Sequence, residues 1–311
     1  MNKILVTDGL DQGGLEILRA SAQVDDSNGI SPDDLLKAIP EYDALIVRGR
    51  TKVTAAVFEA AKSLKVVGRA GVGVDNIDLA AAKAHGVTVV NSPTATSIAV
   101  AELTFGLLLA VAREIPRADA TMKAGQWVKK ELEGVELYGK TLGVIGFGRI
   151  GAEVGKRAAA FGMKVIGYDP LISAKEIEKR GGEPVSLSDL FTLSDFITLH
   201  MPLTNDTKNL VNVDAIKAMK DGVRIVCAAR GGVIDEAALL DGLKSGKVAA
   251  AGLDVFVAEP PGQTDLVAHP HVVCTPHVGA QTVEAQARAA DDIASEILAA
   301  LQGKDLRWKV A

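Results

Sequence analysis

Cysteine and long apolar runs are both scarce in this sequence. Only two cysteines occur among 311 residues, Cys227 and Cys274, and both lie in short apolar runs typical of strands. This usage favours buried free thiols in a reducing cytoplasm over a disulfide framework. The longest apolar stretch, residues 98–112, is interrupted by Glu102 and Thr104 and is too short for a membrane span.

Basic charge is also limited. The chain carries 34 Lys and Arg against 39 Asp and Glu, which gives a formal net charge of -5. This balance argues against a nucleic-acid or anionic-membrane surface, although an acidic protein can still carry a basic pocket for an anionic substrate. The N-terminal apolar run is too short for a signal peptide. No side-chain cluster has metal-ligand spacing, and we interpret His269 and His271 as a loop pair rather than as ligands.

A glycine-rich turn stands between a strand pattern and a helix pattern. The turn is Gly146-Phe147-Gly148-Arg149-Ile150-Gly151. An apolar run at 141–145 precedes it, a helix-like stretch at 153–161 follows it, and a second strand pattern at 164–168 ends in Asp169. The three glycines permit a tight turn, the approach of a pyrophosphate and close packing of helix on strand. We therefore predict a dinucleotide-binding βαβ unit, with the cofactor held along this turn.

Asp169 distinguishes between the two nicotinamide dinucleotides. Its carboxylate would accept hydrogen bonds from the ribose hydroxyls and would repel a 2′-phosphate. The next four residues, Pro170 to Ser173, supply no cation to neutralise such a phosphate. The sequence therefore predicts NAD rather than NADP as the cofactor.

Strand and helix patterns alternate along most of the chain. Strand runs lie at 4–7, 44–47, 65–67, 87–90, 141–145, 164–168, 196–199, 223–228, 249–254 and 272–275, and helix patterns lie at 14–20, 32–38, 54–61, 97–113, 153–161 and 283–301. Such alternation predicts an α/β fold with helices on both faces of parallel sheets. We expect a doubly wound Rossmann domain over residues 94–280, inserted into a smaller flavodoxin-like α/β substrate domain formed by residues 1–93 and 281–311.

Polar side chains follow three successive strands of the second sheet. Arg230 comes after the strand pattern at 223–228, Asp254 ends the next pattern with Glu259 shortly beyond, and His277 follows the last. Ligands of such sheets bind beyond the carboxyl ends of the strands, so these side chains are expected to converge beside the cofactor. Each alone would be an ordinary loop residue, and only their joint placement indicates a catalytic site.

Several stretches carry a resemblance to a known family. They are residues 69–78 (RAGVGVDNID), 139–151 (GKTLGVIGFGRIG), 229–236 (ARGGVIDE), 253–256 (LDVF) with 259–261 (EPP), and 275–280 (TPHVGA). In this order they resemble the D-2-hydroxyacid dehydrogenase family, and most of all its 3-phosphoglycerate dehydrogenase branch. The resemblance implies that Arg230, Glu259 and His277 form the catalytic set.

The resemblance also implies a set of cofactor contacts beyond the glycine-rich turn and Asp169. These residues are Val72, Met201, Ala228, Ala229, Arg230, Asp254, His277, Gly279 and Ala280. Asp254 would hold the nicotinamide carboxamide. The sequence departs from the family pattern at Val72, where relatives often carry threonine, and at Met201, where a hydroxyl residue is frequent. Cys227 likewise replaces a common asparagine, while the three catalytic groups are unchanged.

The resemblance also implies that residues of the first domain make most of the contacts with the substrate. The residues that would contact substrate are Arg48, Lys52, Val72, Gly73 and Asn76, together with Arg230 and His277. The segment 48–52 places three cations within five residues, which suits a phosphorylated substrate. A solvated basic turn is the alternative interpretation.

Elementary chemistry agrees with the three catalytic roles. Oxidising a 2-hydroxy acid removes a hydride from C2 and a proton from its hydroxyl, and imidazole titrates near neutral pH, so His277 is the expected base. A hydrogen bond to Glu259 would fix the ring tautomer and favour the protonated form. The planar fork of Arg230 suits the substrate carboxylate and can polarise the C2 oxygen.

Three functions are compatible with this reasoning. The first is NAD-dependent interconversion of 3-phosphoglycerate and 3-phosphohydroxypyruvate, a step towards serine. The second is reduction of glyoxylate, hydroxypyruvate or another unphosphorylated 2-oxo acid, and the third is an NAD-sensing interaction protein. The resemblance further implies a homodimer formed through the helix at 97–113 and the loop at Trp127. Because the sequence stops at Ala311, we expect the regulatory C-terminal domains of longer phosphoglycerate dehydrogenases to be absent.

Overall fold

The computed structural model of the protein describes residues 1–311, which form two compact units. The first unit combines residues 1–96 with residues 280–311, and the second comprises residues 97–279. The boundaries expected from the sequence, after residues 93 and 280, lie close to these.

Strands and helices alternate in both units. The strands are β1 (Lys3–Val6), β2 (Gln23–Asp26), β3 (Ala44–Val47), β4 (Val66–Arg69), β5 (Thr88–Asn91), β6 (Thr141–Ile145), β7 (Lys164–Tyr168), β8 (Glu183–Pro184), β9 (Phe196–Leu199), β10 (Val223–Cys227), β11 (Val248–Leu253) and β12 (Val272–Cys274). The helices are α1 (Gln12–Arg19), α2 (Pro32–Ala38), α3 (Ala55–Ala60), α4 (Leu79–Ala84), α5 (Ser97–Arg113), α6 (Ile115–Lys123), α7 (Arg149–Ala160), α8 (Ala174–Lys179), α9 (Leu187–Leu193), α10 (Val213–Ala218), α11 (Glu236–Ser245) and α12 (Val283–Leu301). Two short 3-10 helices cover Ile39–Glu41 and Lys129–Glu131.

The first unit is built on a parallel sheet of five strands in the order β2-β1-β3-β4-β5. This is the flavodoxin-like order, in which the chain reverses direction across the sheet beside its first strand. Its central strand β3 is buried along its whole length, because a parallel sheet is covered on both faces and its strands become continuous apolar runs. The predicted α/β class is therefore confirmed for this unit.

The C-terminal helix α12 belongs to the first unit because it packs on that unit's sheet. Thr282 caps the helix, and its hydroxyl accepts a hydrogen bond from the N–H of Ala285 at 3.1 Å. Gly68 in β4 makes room for the helix, since a Cβ there would lie 2.8 Å from Ile293 Cγ1 and 2.9 Å from Ile297 Cδ1. Any larger residue at Gly68 would force the helix away from the strand.

The second unit contains a parallel sheet of seven strands in the order β12-β11-β10-β9-β6-β7-β8. Counted from β6, this is the Rossmann order 3-2-1-4-5-6 with one further strand at the far edge. The long helix α5 buries much of its surface against β10, β11 and β12. Gly252 in β11 makes room for this helix, since a Cβ there would lie only 3.1 Å from Leu107 Cβ. The doubly wound fold expected for this part of the chain is confirmed.

Two edge strands, β2 and β8, do not follow from apolar patterning. β2 has the sequence QVDD and contains no buried residue, and β8 contains only two residues. Both are held by backbone pairing to an inner strand rather than by burial of their own side chains.

The scarcity of long apolar runs and of cysteines in the sequence can be compared with the structure. No helix is both long and apolar enough to cross a bilayer. Both cysteines are free thiols, with Cys227 buried and Cys274 partly buried.

Candidate active site

The glycine-rich turn joins β6 to α7, and two of its glycines are required by close contacts. Gly146 has a φ of +89°, and a Cβ there would lie 2.6 Å from the carbonyl oxygen of His200. A Cβ on Gly151 would clash with the carbonyl oxygen of Gly146. The turn is therefore pressed against the end of β9 and against the first turn of its own helix, which only glycine permits.

The outer side of the same turn fits the pyrophosphate of a dinucleotide. Gly148 is the N-cap of α7, and a Cβ at this position would meet no atom within 4 Å. Because glycine has no side chain, the N–H groups of the first helical turn receive no side-chain cap. Helix N-termini of this kind bind anions, so Gly148, Arg149 and Ile150 are the residues that would hold the pyrophosphate.

Asp169 follows β7 and is fixed by three backbone donors. Its Oδ2 accepts from Phe147 N at 2.8 Å, and its Oδ1 accepts from Leu171 N at 2.8 Å and Ile172 N at 3.1 Å. A carboxylate offers about four acceptor positions, so about one remains for a ribose hydroxyl. The bond to Phe147 also ties the carboxylate to the glycine-rich turn, so the ribose and pyrophosphate positions are set together.

His277 and Glu259 form a hydrogen-bonded pair at the carboxyl end of the second sheet. His277 Nδ1 lies 2.7 Å from Glu259 Oε2, and the other carboxylate oxygen, Oε1, accepts from the N–H of Phe256 at 3.1 Å. The bond at Nδ1 leaves Nε2 as the ring nitrogen available to a substrate. Both side chains remain partly exposed, at 49% and 38%, so the pair is accessible from outside the unit.

Asp254 shapes the loop that carries His277. Its Oδ1 accepts from Thr275 Oγ1 at 2.6 Å and Val278 N at 2.8 Å, and its Oδ2 accepts from Gly279 N at 2.9 Å. Held by these hydrogen bonds, His277 adopts a φ of +53°. This is the left-handed region, which a residue other than glycine occupies at a cost of about 1–3 kcal/mol. The buried carboxylate therefore stabilises an unusual backbone conformation at the proposed base.

The loop carrying Arg230 packs directly on the loop carrying Glu259. Arg230 follows β10, and its Nη1 donates to the carbonyl oxygen of Ala229 at 2.7 Å. A Cβ on Gly231 would clash with the carbonyl oxygen of Phe256, so the two loops meet backbone to backbone. The strands β10, β11 and β12 are neighbours and run parallel, so the loops of all three predicted catalytic residues lie together at the carboxyl ends of these strands.

The basic segment of the first unit is organised by Asp8, which follows β1. Asp8 Oδ2 accepts from Arg48 N at 2.8 Å and Thr51 N at 3.1 Å, and Oδ1 accepts from Thr51 Oγ1 at 2.5 Å and Arg50 Nη2 at 3.2 Å. These hydrogen bonds hold the pKa of Asp8 below its usual value although burial opposes them. The guanidinium of Arg48 instead donates to the neutral Gln281 Oε1 at 3.0 Å.

Asn76 closes the same segment from the other side. Its Nδ2 donates to the carbonyl oxygens of Arg48 at 3.0 Å and Thr51 at 2.7 Å. Both amide hydrogens are therefore used within the unit, which favours a framing role over the predicted contact with a substrate carboxylate.

The remaining predicted contact residues fall in both units. In the second unit, Met201, Ala228 and Ala229 are buried just beyond β9 and β10, and Gly279 bonds Asp254. In the first unit, the carbonyl oxygens of Val72 and Ala280 accept from the side chains of Asn91 and Gln286, Gly73 is partly buried and Lys52 is exposed. Their contacts with cofactor or substrate stay predictions.

The second unit matches a family model along most of its length. Residues 105–279 match the model of the D-isomer specific 2-hydroxyacid dehydrogenase, NAD binding domain. The chain belongs to the D-isomer specific 2-hydroxyacid dehydrogenase family. The cofactor of this family's domain is NAD, in agreement with the fit of the glycine-rich turn to a pyrophosphate.

Similar proteins are known from several organisms. The D-3-phosphoglycerate dehydrogenase of Methanocaldococcus jannaschii is 52% identical over 305 residues, which cover 98% of this chain and 58% of that protein. The hydroxypyruvate reductase of Thermotoga maritima is 50% identical over 299 residues, which cover 95% of this chain and 97% of that protein. A solved structure of a protein from Thermus thermophilus has a TM-score of 0.92 and 36% identity, covering 99% of this chain and 100% of that one.

The family members named D-3-phosphoglycerate dehydrogenase are longer than this chain. The chain spans 49% to 58% of the length of three such relatives. The hydroxypyruvate reductase is instead matched over nearly its whole length.

Several residues that organise the candidate site were not predicted from the sequence. Asp8 frames the basic segment, and Thr275 donates to Asp254. Glu236 is a third, because its Oε1 accepts from Val257 N at 2.7 Å and so supports the loop that leads to Glu259. Asp8 could have been found from its place directly after the first strand, whereas the roles of Thr275 and Glu236 depend on contacts that only the fold creates.

Proposed function

We propose that this protein oxidises D-3-phosphoglycerate to 3-phosphohydroxypyruvate with NAD and catalyses the reverse reduction. The hydrogen bond between His277 Nδ1 and Glu259 Oε2 carries the catalytic part of this proposal, because it leaves Nε2 to exchange a proton with a substrate. The pair follows strands of a unit that matches an NAD binding domain. In this proposal the product enters the formation of serine.

Each of the three catalytic groups has a defined role. NAD, when bound, accepts the hydride from C2 of the hydroxy acid. His277 takes the proton of the C2 hydroxyl at Nε2 during oxidation and returns it during reduction. Glu259 holds the Nδ1–H tautomer, so that Nε2 carries the lone pair. Arg230 binds the substrate carboxylate with its planar fork and stabilises negative charge on the C2 oxygen.

We propose a preference for a phosphorylated substrate because of the environment of Arg48 within the first unit. Arg48 is half-buried, and this burial lowers the pKa of its guanidinium. Its side-chain hydrogen bond to Gln281 brings no negative charge, whereas the neighbouring Arg50 is paired with Asp8. A partly desolvated guanidinium that makes no hydrogen bond to a carboxylate gains from binding an anion, and a phosphate would supply that charge.

A second candidate is the reduction of hydroxypyruvate or glyoxylate. It is favoured by the match to the Thermotoga maritima hydroxypyruvate reductase over nearly the whole length of both chains. The two candidates share the same catalytic groups and differ only in the need for a phosphate on the substrate.

Initial-rate kinetics distinguish the two candidates. Oxidation of 3-phosphoglycerate and glycerate, and reduction of 3-phosphohydroxypyruvate, hydroxypyruvate and glyoxylate, are compared with NAD(H) and NADP(H). We expect kcat/KM for the phosphorylated substrates to exceed that of the plain acids by about 100-fold, and Arg48→Gln to remove most of this difference. Equal rates with plain acids would support the second candidate. No turnover with any of these acids would favour an NAD-sensing interaction protein.

We also propose that the protein forms a homodimer through α5 and the loop at Trp127, together with α6, which lies between them in the chain. None of the residues of α6 is buried, and Ile115, Met122 and Trp127 are 51%, 57% and 78% exposed. Large apolar side chains that cluster on a surface mark interaction sites. Sedimentation velocity should therefore show a dimer for the natural chain and a monomer for Trp127→Arg combined with Met122→Arg. A monomeric natural chain would contradict this proposal.

A further inference from the structure

The first unit contains a cavity that the proposed reaction does not use. Its volume is about 590 Å³, and it opens between α2, α3 and the loops that precede them. It is lined by Gly29, Ile30, Ser31, Pro32, Leu35, Leu36, Arg50, Thr51, Lys52, Thr54 and Val57. Arg48 is not part of this lining. The volume lies within the range of sites that bind small organic molecules.

The walls of the cavity are mainly apolar. Ile30, Leu35, Leu36 and Val57 form an aliphatic floor, of which Leu35 and Val57 are buried while Ile30 and Leu36 are partly exposed. A floor of this kind favours a ligand with a hydrocarbon body, because contact with it removes apolar surface of both partners from water.

The rim of the cavity carries one uncompensated positive charge. Arg50 and Lys52 both line it, but Arg50 is paired with Asp8, whose side chain is only 4% exposed. Lys52 is exposed and is not part of any ion pair in the structure. The acidic residues of α2 lie outside the lining, and Asp34 is engaged by Ser31 and Lys37. The net charge facing a ligand is therefore about one positive unit, which matches a monoanion better than a phosphate monoester.

Polar groups that would orient a ligand lie at the same rim. Thr54 precedes α3 as its N-cap residue and is exposed, and its hydroxyl makes no capping hydrogen bond. Thr51, in contrast, is buried and its hydroxyl donates to Asp8. Lys52 and Thr54 thus remain to bind an acidic group above the aliphatic floor.

We propose that this cavity binds a small organic monocarboxylate with an apolar body, with its carboxylate at Lys52 and Thr54. The site goes beyond the proposed function, since it uses neither the catalytic pair nor the glycine-rich turn. It also assigns Lys52 to this ligand rather than to the hydroxy acid substrate.

Direct binding to the full chain tests the proposal without an activity assay. The probes are 4-phenylbutyrate and its neutral counterpart 4-phenylbutyramide, which share the hydrocarbon body and differ in charge. Isothermal titration calorimetry should show that the acid binds about 5- to 10-fold more tightly than the amide. Equal affinities, or no binding of the acid at millimolar concentration, would overturn the proposal.

Three variants locate the site. Lys52→Gln should reduce the affinity for the acid to that for the amide, and Leu36→Trp should abolish binding of both probes by filling the floor. Lys62→Gln removes an exposed lysine of the same unit that does not line the cavity, and it should bind both probes like the natural chain. A loss in Lys62→Gln equal to that in Lys52→Gln would show a nonspecific charge effect and overturn the proposal. The comparison with Lys52→Gln remains decisive if Leu36→Trp does not fold.

A competition experiment separates this site from the substrate site. Titration of 4-phenylbutyrate is repeated with the chain saturated by NADH and either 3-phosphoglycerate or glycerate. We expect the probe still to bind. Strictly competitive binding would place the cavity in the substrate site and overturn the proposal, whatever the outcome for the proposed reaction.

Discussion

The backbone N–H of His277 donates to the main-chain carbonyl of Asp254 at 2.9 Å, while the carboxylate of Asp254 accepts from the next two backbone N–H groups. One buried acid therefore contacts the loop of the proposed base at three successive residues. Because Asp254 is only 1% exposed, water cannot replace these bonds if the carboxylate is changed. The position of the imidazole therefore depends on this acid as well as on Glu259.

Asp254→Asn should reduce kcat/KM by about 10- to 100-fold, because the amide replaces one acceptor oxygen with a donor that faces a backbone N–H. Steady-state kinetics measure the loss, and thermal unfolding shows how much of it reflects stability. Asp206→Asn, at an exposed acid outside the site, is the matched control. An Asp254→Asn protein with natural kcat/KM would show that the frame is not needed to place His277.

Glu259→Gln should lower kcat by about 10²- to 10⁴-fold while leaving NAD affinity similar. The carboxamide keeps an oxygen for Phe256 N, so its NH₂ group faces His277 Nδ1 and favours the tautomer with its proton on Nε2. The pH–rate profile should also move, since the charge beside the imidazole is removed. Glu178→Gln serves as the control for the same exchange on the surface. An unmoved profile would count against the acid–base pair.

Arg230→Lys should lose most turnover, by about 10²- to 10³-fold in kcat/KM, because one ammonium cannot reproduce bidentate capture of a carboxylate. The charge is retained, so the measurement tests geometry rather than electrostatics. Arg19→Lys, on an exposed helix end of the first unit, should be neutral. Near-natural kcat/KM in Arg230→Lys would remove Arg230 from the proposed mechanism.

His200 should make the stability of the protein fall as the pH is lowered. Neither ring nitrogen has a hydrogen-bond partner, and burial lowers the pKa of His200 to about 3. An exposed histidine in the unfolded chain titrates near pH ~6.5, so the unfolded state binds the proton first. The free energy of unfolding should therefore decrease from about pH 6.5 downwards.

Unfolding in denaturant at a series of pH values tests this effect. His200→Asn should give a shallower decrease than the natural chain between about pH 6.5 and pH 5, because the protonation difference at this site is lost. The His200 ring signal in an NMR titration should stay that of a neutral imidazole over the same range. Parallel stability curves for the two proteins would contradict the prediction.

The two thiols should react slowly in the folded protein. Burial raises the pKa of Cys227 to about 11 and also raises the pKa of Cys274. At pH 8 only about one molecule in a thousand would carry the Cys227 thiolate, which is the reactive form. Reaction with a chromogenic disulfide should therefore speed up greatly on unfolding, and Cys274→Ser should remove the faster of the two folded-state phases. Fast labelling of that variant in the folded state would show that Cys227 is accessible.

Much of the fold could be predicted from the sequence where burial sets the pattern. Helices α2, α5 and α12 begin and end at the predicted residues, because their apolar residues recur with a helical spacing, and Ser31 and Thr282 cap α2 and α12. The edge strands β2 and β8 could not be predicted, since β2 is mostly polar, β8 has only two residues, and both are held by backbone pairing to an inner strand. Strand signals in a sequence report burial, and neither of these two strands contains a buried residue.

In the candidate site, the catalytic residues could be predicted from the sequence but the contacts that hold their loops could not. Arg230, Glu259 and His277 stand near the carboxyl ends of neighbouring strands, and the topology rule for parallel sheets predicts that their loops meet. The frame around them could not be predicted, because Asp254 and Thr275 act through contacts between loops. The sequence also could not predict that both amide hydrogens of Asn76 are donated to backbone carbonyl oxygens.

The way Asp8 and Asn76 hold the basic segment has a practical consequence. They bind residues 48 and 51 through main-chain N–H and C=O groups, which every residue except proline also supplies. These hydrogen bonds therefore persist whichever side chain projects from position 48, and an exchange there removes only the side-chain bond to Gln281. Under the proposed function, variants of Arg48 can change the substrate preference while the backbone of the segment stays in place.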